Sequence, residues 1–187
     1  WGIDAIYSGS QKCLSCVPGI SPVSFSDKAA DIIKNRTDLV QSWFLDQSLV
    51  MGYWSGEGKR SYHHTAPVNS LYALHESLLQ LKNEGLENSW ARHKAQHQVL
   101  AKGLEKLGIK FIVPAEERLP QLNAVYIPDG IDDAKVRSYL LNHYNLEIGA
   151  GLGDFGGKAW RIGLMGYAAK SENVALCLTA IEDALAK

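Results

Sequence analysis

The chain has no apolar run long enough to cross a bilayer, no excess of either charge and no cysteine pattern of a disulfide scaffold. Its 187 residues carry 19 Lys and Arg against 20 Asp and Glu, a formal net charge of −1. With both signs interspersed, there is no electrostatic footprint for nucleic acid or a membrane surface, and neither is expected as a partner. Three cysteines are an odd number, which fits a reducing compartment better than a disulfide framework. Nothing at the N-terminus reads as a secretory signal. The C-terminus, Ala184-Leu185-Ala186-Lys187, lacks a Ser-Lys-Leu type of peroxisomal address. An intracellular, cytoplasmic protein is expected. There is no internal repeat and no low-complexity segment.

What is present is the composition of a folded globular protein, 46% hydrophobic and 21% charged. The chain opens with Trp1 directly in an apparent strand, Ile3 to Tyr7, so it reads as the C-terminal piece of something longer. Cys13 and Cys16 form a Cys-x-x-Cys. A redox pair should open a helix, but Val17-Pro18-Gly19 follows and stops one. Zinc would need two more ligands, and the adjacent His63 and His64 lack the usual spacing. No metal site is expected, and the thiols are read as small buried or half-buried side chains.

Strand signals alternate with helical ones, predicting a mixed α/β protein. After Pro18-Gly19 come a strand, Ser21 to Phe25, and a helix toward Arg36 that Ser26 or Asp27 could cap. Trp43 to Trp54 reads as a short helix, and Ser55 to Arg60 as a flexible connection. Thr65-Ala66-Pro67 has Thr as a helix cap and Pro in the first turn. Leu71, Leu74, Leu78 and Leu81 then form one stripe as far as Glu84. Gly85 breaks the pattern and is taken as the domain boundary.

A helix follows from about Leu86 to Leu107, with Leu86, Trp90, His93, His97, Leu100, Leu104 and Leu107 on one face. His93 and His97 have metal-competent spacing, but no acidic residue on that face completes a site. Beyond it, strands are predicted at Lys110 to Val113, Asn123 to Ile127, Leu146 to Ile148 and Trp160 to Leu164. Helices are predicted at about Asp132 to His143 and Ser171 to Ala186, with Ser171 as cap and Val174, Leu178, Ile181 and Leu185 buried. A small sheet covered on one face by helices satisfies this order.

Four places could carry chemistry. In Tyr7-Ser8-Gly9-Ser10-Gln11-Lys12 a strand runs into a small-residue turn that delivers one lysine. Partial desolvation of such an amine favours its neutral, nucleophilic form, which suits Schiff-base chemistry; a surface lysine after a strand is the plain alternative. In Ser61-Tyr62-His63-His64-Thr65-Ala66-Pro67, two hydroxyl residues, Tyr62 and Thr65, precede a helix N-terminus, a setting that favours a phosphate or forms an ordinary capped helix. In Trp160-Arg161-Ile162-Gly163-Leu164, alternation puts Arg161 opposite the apolar residues and beside Gly163, with room for its fork to pair with a carboxylate or to be solvated. Gly149-Ala150-Gly151-Leu152-Gly153 lies between strands and so does not fit a dinucleotide or mononucleotide loop. A close backbone approach to a small ligand or a mobile loop remains. Together, the lysine, the hydroxyl pair and the arginine suggest an enzyme that uses pyridoxal 5′-phosphate on amino acids.

At these residues the chain resembles the class V, fold-type I pyridoxal-phosphate aminotransferases, within them the alanine–glyoxylate (serine–pyruvate) type. The matching segments are Tyr7 to Lys12, Pro18-Gly19, Ser24-Phe25-Ser26, Tyr62-His63-His64-Thr65 and Pro67-Val68. Gly85-Leu86-Glu87-Asn88-Ser89-Trp90, Glu147-Ile148, Gly151-Leu152-Gly153 and Arg161-Ile162-Gly163-Leu164 with Gly166 continue the family's order. The resemblance implies the C-terminal part of a large cofactor domain over residues 1–84 and a small α+β domain over 85–187.

It further implies that Lys12 carries the Schiff base and moves the α-proton. Gln11 would contact the cofactor phosphate, Tyr62 and Thr65 would reach the phosphate of the other subunit of a homodimer, and Arg161 would bind the substrate carboxylate. The implied reaction is ping-pong transfer of an amino group from L-alanine or L-serine to glyoxylate, with 2-oxo acids as co-substrates. The family's aspartate for the pyridine nitrogen, its ring-stacking aromatic and its first phosphate loop lie upstream of the lysine. An isolated fragment is therefore expected to bind cofactor poorly and to be inactive. Two other readings remain: a lyase or cysteine desulfurase of the same fold, with Cys13 or Cys16 as sulfur acceptor, and a non-catalytic dimerisation fragment.

Overall fold

The computed structural model describes residues 1–54 and 61–187. The connection expected at Ser55-Gly56-Glu57-Gly58-Lys59-Arg60 lies outside the described residues. The chain forms two compact units: Trp1–Ser10 with Cys16–His75, and Gln11–Ser15 with Glu76–Lys187.

In the first unit, β1 (Ala5–Tyr7) pairs antiparallel with β2 (Val23–Phe25), Ile6 opposite Ser24. The helix α1 (Asp27–Lys34) starts where predicted: the Ser26 hydroxyl accepts the Ala29 N–H at 3.2 Å, and Asp27 lies in the first turn, where its charge suits the helix dipole. The single helix expected over Trp43 to Trp54 is instead a 3-10 turn, Trp43–Leu45, followed by α2 (Gln47–Trp54). Asp46 makes the break. Its carboxylate accepts the Ser48 N–H at 3.0 Å and the Ser48 hydroxyl at 2.6 Å, a local alternative to helix continuation.

The helix α3 (Val68–Glu84) begins after Pro67. Thr65 does not cap it, because the Thr65 hydroxyl is engaged with that of Tyr62 at 2.6 Å. The leucine stripe takes the predicted helical form but builds no core: α1, α2 and α3 bury no residue, and Leu71 and Leu78 are 37% and 45% exposed.

The second unit holds the apolar core. Its longest helix, α4 (Leu86–Lys106), buries His93, Leu100 and Leu104 of the predicted face, whereas Leu86 and Trp90 near its start are exposed. Three antiparallel strands follow in spatial order β3 (Leu122–Tyr126), β5 (Ala159–Gly163), β4 (Gly149–Ala150), with Ala124 opposite Arg161 and Arg161 opposite Gly149. The strand expected at Lys110 to Val113 contracts to one bridge, Phe111 with Val125, because Pro114 and the 3-10 turn Ala115–Glu117 turn the chain away. The strand expected at Leu146 to Ile148 pairs later, at Gly149–Ala150, with Ile148 buried just before it.

Asp132 caps α5 (Asp133–Tyr144) by accepting the Lys135 N–H at 3.1 Å. Ser171 does not cap α6 (Ser171–Leu185): it is the first helical residue, and its hydroxyl donates to Glu172. Trp160, Leu100, Leu104, Leu140, Ile181, Val125 and Val174 are all under 2% exposed. Burial of each such side chain stabilises by roughly 1.5–3 kcal/mol, so this cluster holds the unit together. Polar pins finish the packing. The Trp160 indole donates to Asp133 at 2.9 Å, and the hydroxyls of Tyr139 and Tyr144 both donate to Asp183, at 2.6 and 2.9 Å. The Asp183 carboxylate raises the Tyr139 phenol to about 12.

Candidate active site

Lys12 is the second residue of the five-residue segment Gln11–Ser15 that belongs with the second unit. The Ser15 N–H donates to the Lys12 carbonyl at 2.9 Å and closes a turn, with Ser15 in the left-handed region at φ 59. Gln11 and Lys12 are exposed, and neither side chain has a hydrogen-bond or ion-pair partner among the described residues. The expected desolvation of the amine is thus not supplied by this chain's own packing. Cys13 is exposed, against the expectation of a buried thiol, while Cys16 and Cys177 are buried and burial raises the Cys177 thiol to about 11.

Arg161 also belongs to the second unit. Strand alternation places it opposite its buried neighbours Trp160 and Ile162, as predicted. Its Nε donates to the Ala150 carbonyl at 2.7 Å, and its two terminal nitrogens have no partner among the described residues. Gly149, opposite Arg161 across β4 and β5, leaves the space: a Cβ there would lie 3.3 Å from Nη2 and 3.5 Å from Cζ. The fork is oriented through one nitrogen and open at the other two.

Tyr62 and Thr65 are in the first unit, joined hydroxyl to hydroxyl. Aromatic packing fixes the segment that carries them. His63 stacks on Trp43 with centroids 4.0 Å apart, and Tyr53 meets the Tyr62 ring edge-on at 6.1 Å. The His63 Nε2–H donates to the Trp43 carbonyl at 3.1 Å, so His63 Nδ1 accepts from His64 Nδ1 at 2.8 Å. These histidines are used as packing and hydrogen-bonding groups.

The other histidine pair is satisfied in the same way. His93 donates from Nδ1 to the Ser89 carbonyl at 2.6 Å and accepts the Gly166 N–H at Nε2, 2.9 Å, while His97 bonds to Asn123 at 2.7 Å. Among the described residues, no group of three His, Cys, Asp or Glu could hold a metal ion. Gly151 abuts the Phe155 carbonyl so closely that a Cβ would collide with it, so the glycine-rich loop packs on its own 3-10 turn, Gly153–Phe155.

Sequence reasoning missed the group that grips the turn Gly166–Ala168. Arg92 bonds both oxygens of Glu84, at 2.5 and 2.9 Å, and donates from Nη1 to the carbonyls of Gly166 and Ala169, at 2.8 and 2.9 Å. Ser15 Oγ accepts the Tyr167 N–H at 2.6 Å. A cavity of about 280 Å³ lies here, lined in part by Ser15, Glu84, Arg92 and Tyr167 but by neither Lys12 nor Arg161. The only sequence-level signal was Gly166 itself, which sits at φ 56 with no room for a Cβ beside Ser15 Oγ and the Cys13 carbonyl.

Comparison with known proteins follows the same residues. The family described as aminotransferase class-V matches residues 1–166. Alanine–glyoxylate aminotransferase of Rattus norvegicus is 46% identical over 186 residues, covering 98% of this chain and 45% of the relative. The crystal structure of alanine–glyoxylate aminotransferase from Nostoc sp. superposes with a TM-score of 0.93 at 45% identity, over 99% of this chain and 48% of that one. Ureidoglycine–glyoxylate aminotransferase from Bacillus subtilis superposes with a TM-score of 0.94 at 37% identity, over 100% and 48%. The chain spans about half the length of the relatives it matches. Among the described residues, no helix is long and apolar enough to cross a membrane.

Proposed function

We propose a function from one premise: the chain belongs to the class V aminotransferase family, whose cofactor is pyridoxal 5′-phosphate. It is the lysine-bearing and carboxylate-binding part of an aminotransferase that delivers an amino group to glyoxylate, from L-alanine or L-serine. Glyoxylate is the constant element, since the rat and Nostoc relatives are named for alanine with glyoxylate and the Bacillus relative for ureidoglycine with glyoxylate. The observation that carries the reading is a pair of unengaged cationic side chains in one compact unit. Among the described residues Lys12 has no partner, and Arg161 is fixed through Nε with its terminal nitrogens open. The working parts divide at residue 84, with residues 1–84 serving the cofactor and 85–187 the substrate carboxylate. The three free thiols suit an intracellular, cytoplasmic setting.

The donor set fits the cofactor. An unpaired primary amine suits an aldehyde, a hydroxyl pair ahead of a helix suits a phosphate, and an open guanidinium suits the acid group of an amino acid. When bound, pyridoxal phosphate supplies an aldehyde for amines and a ring that accepts the electron pair left by a departing Cα proton. Lys12 would hold it covalently through Nζ. Freed when the amino acid binds, the same Nζ would serve as the base for the Cα proton and then as the acid that gives it back. Gln11 would donate to the phosphate, and Tyr62 and Thr65 to the phosphate of a second copy, making the site shared in a homodimer. Arg161 would bind the substrate carboxylate bidentately and set which Cα bond faces Lys12.

Borohydride reduction of the cofactor-loaded whole polypeptide, followed by peptide mapping, tests the assignment. A pyridoxyl mass on Lys12, absent in Lys12→Ala, is expected. A label on another lysine would overturn it. Donor panels at fixed glyoxylate then rank alanine against serine.

A further inference from the structure

We propose that Ser15 is a positioning residue that ties the backbone of Lys12 to the chain segment leaving the arginine strand; this rests on the roles of Lys12 and Arg161 proposed above. Ser15 is within one short path of both. Its N–H closes the turn onto the Lys12 carbonyl at 2.9 Å, and its Oγ accepts the Tyr167 N–H at 2.6 Å. Tyr167 lies four residues beyond the end of β5, the strand that carries Arg161.

The receiving turn is a fixed post. Gly166 N–H is held by His93 Nε2 at 2.9 Å, and the Gly166 and Ala169 carbonyls by Arg92 Nη1 at 2.8 and 2.9 Å, all from α4. Arg92 is itself clamped on both oxygens of Glu84 at the end of α3. Of the five side-chain bonds that the described residues place on the segment Gly166–Ala169, three thus come from one rigid helix, one from Asn173 Nδ2 to the Ala168 carbonyl at 3.0 Å, and one from the lysine turn. Close approach is built in as well. Gly166 has no Cβ because the Cys13 carbonyl would lie 2.8 Å from it and Ser15 Oγ closer still. Ser15 holds its hydroxyl at a left-handed position, φ 59, which is uncommon for a residue with a Cβ.

The consequence concerns proton transfer. Shifting a reacting group by about 1 Å can cost up to about 10²-fold, whereas a single exposed hydrogen bond contributes only about 1 kcal/mol to stability. Loss of the Ser15 acceptor should therefore show more in the chemistry than in the folding. The carboxylate site is untouched by the change, so KM for the donor should stay put while the single-turnover rate falls.

Two variants separate the acceptor from the shape of the turn. Ser15→Gly accepts φ 59 without strain but removes the oxygen, and Ser15→Asn tolerates the same conformation while keeping an acceptor. In cofactor-free whole polypeptide, hydrogen exchange of the Tyr167 amide should rise about tenfold in Ser15→Gly and stay near the parent in Ser15→Asn. In loaded protein, the rate per borohydride-trapped site should fall five- to tenfold in Ser15→Gly with KM unchanged, and the isotope effect with Cα-deuterated donor should grow. Ser15→Asn should restore both. Parent-like exchange and rate per site in Ser15→Gly would overturn the proposal, as would a loss confined to the number of trappable sites. Absence of trapping on Lys12 in the parent would instead sink the assignment of the lysine.

Discussion

Two arginines in the second unit are treated in opposite ways. Among the described residues, Arg92 engages all three guanidinium nitrogens, two on Glu84 and one on two carbonyls, whereas Arg161 engages only Nε, on the Ala150 carbonyl. Both are partly buried, and only Arg161 was singled out by the sequence. An arginine with every nitrogen committed is part of the scaffold. One that is oriented through a single nitrogen, beside a glycine that leaves room for the fork, is held ready for a planar anion.

Removing each charge should break the two in different observables. Arg161→Gln has the largest expected effect: loss of a bidentate, charge-assisted pair with the substrate carboxylate should raise KM for the amino donor about 10²-fold. The melting midpoint should stay within about 1 °C, since only one main-chain bond is at stake. A midpoint that collapses along with KM would show Arg161 to be scaffold too. Arg92→Ala should appear in stability. It strands the Glu84 carboxylate and two carbonyls, costing about 2 kcal/mol, readable as a lower denaturant midpoint at unchanged slope.

Legibility followed the range of the physics involved. The α1 start at Ser26 or Asp27, the helix start near Asp132 and the alternation that buries Trp160 and Ile162 but not Arg161 are set by residues within a few positions, and all were readable. What failed depended on competition or on distant partners. Asp46 broke a helix because its carboxylate found Ser48, and Thr65 left its cap position because Tyr62 offered a hydroxyl. The α3 stripe specified a face but not what covers it, so a correct helix came with no buried leucine. Of the candidate site, Arg161 and its space were half legible through Gly163 and the strand period; the glycine that matters for the fork is Gly149, across the sheet, which only the register reveals. The grip of Arg92, His93 and Ser15 on the turn Gly166–Ala168 spans up to 152 positions in sequence and left Gly166 as its one local trace.

Gly149→Ala sharpens the same comparison with a smaller change of split sign. The added methyl would sit 3.3 Å from Arg161 Nη2, so the fork must give by a few tenths of an ångström. KM for the donor should rise about fivefold, an effect of roughly 1 kcal/mol. Stability should hold or rise slightly, because alanine in a strand loses less chain entropy than glycine. A lower midpoint with unchanged KM would mean that the space at Gly149 serves packing and not the fork.

The smallest expected effect is acid sensitivity, and it belongs to Arg92 alone. The guanidinium of Arg92 holds the Glu84 carboxyl below its ordinary value. A lowered value in the folded state means that the pair's stabilisation is present above the unfolded-state carboxyl range, near pH 4.5, and is lost as pH falls through the folded value. With the Arg92 and Glu84 side chains 28% and 30% exposed, solvent screening keeps the effect below about 1 kcal/mol. Midpoints measured from pH 6 to pH 3 should therefore converge for the parent and Arg92→Ala as the medium becomes acidic. Asp133, similarly lowered by Arg137, contributes equally to both and drops out of the difference. Arg161 has no carboxylate partner among the described residues, so Arg161→Gln should follow the parent's acid slope throughout. If it does not, Arg161 pairs with an acid of its own and is not held open for substrate.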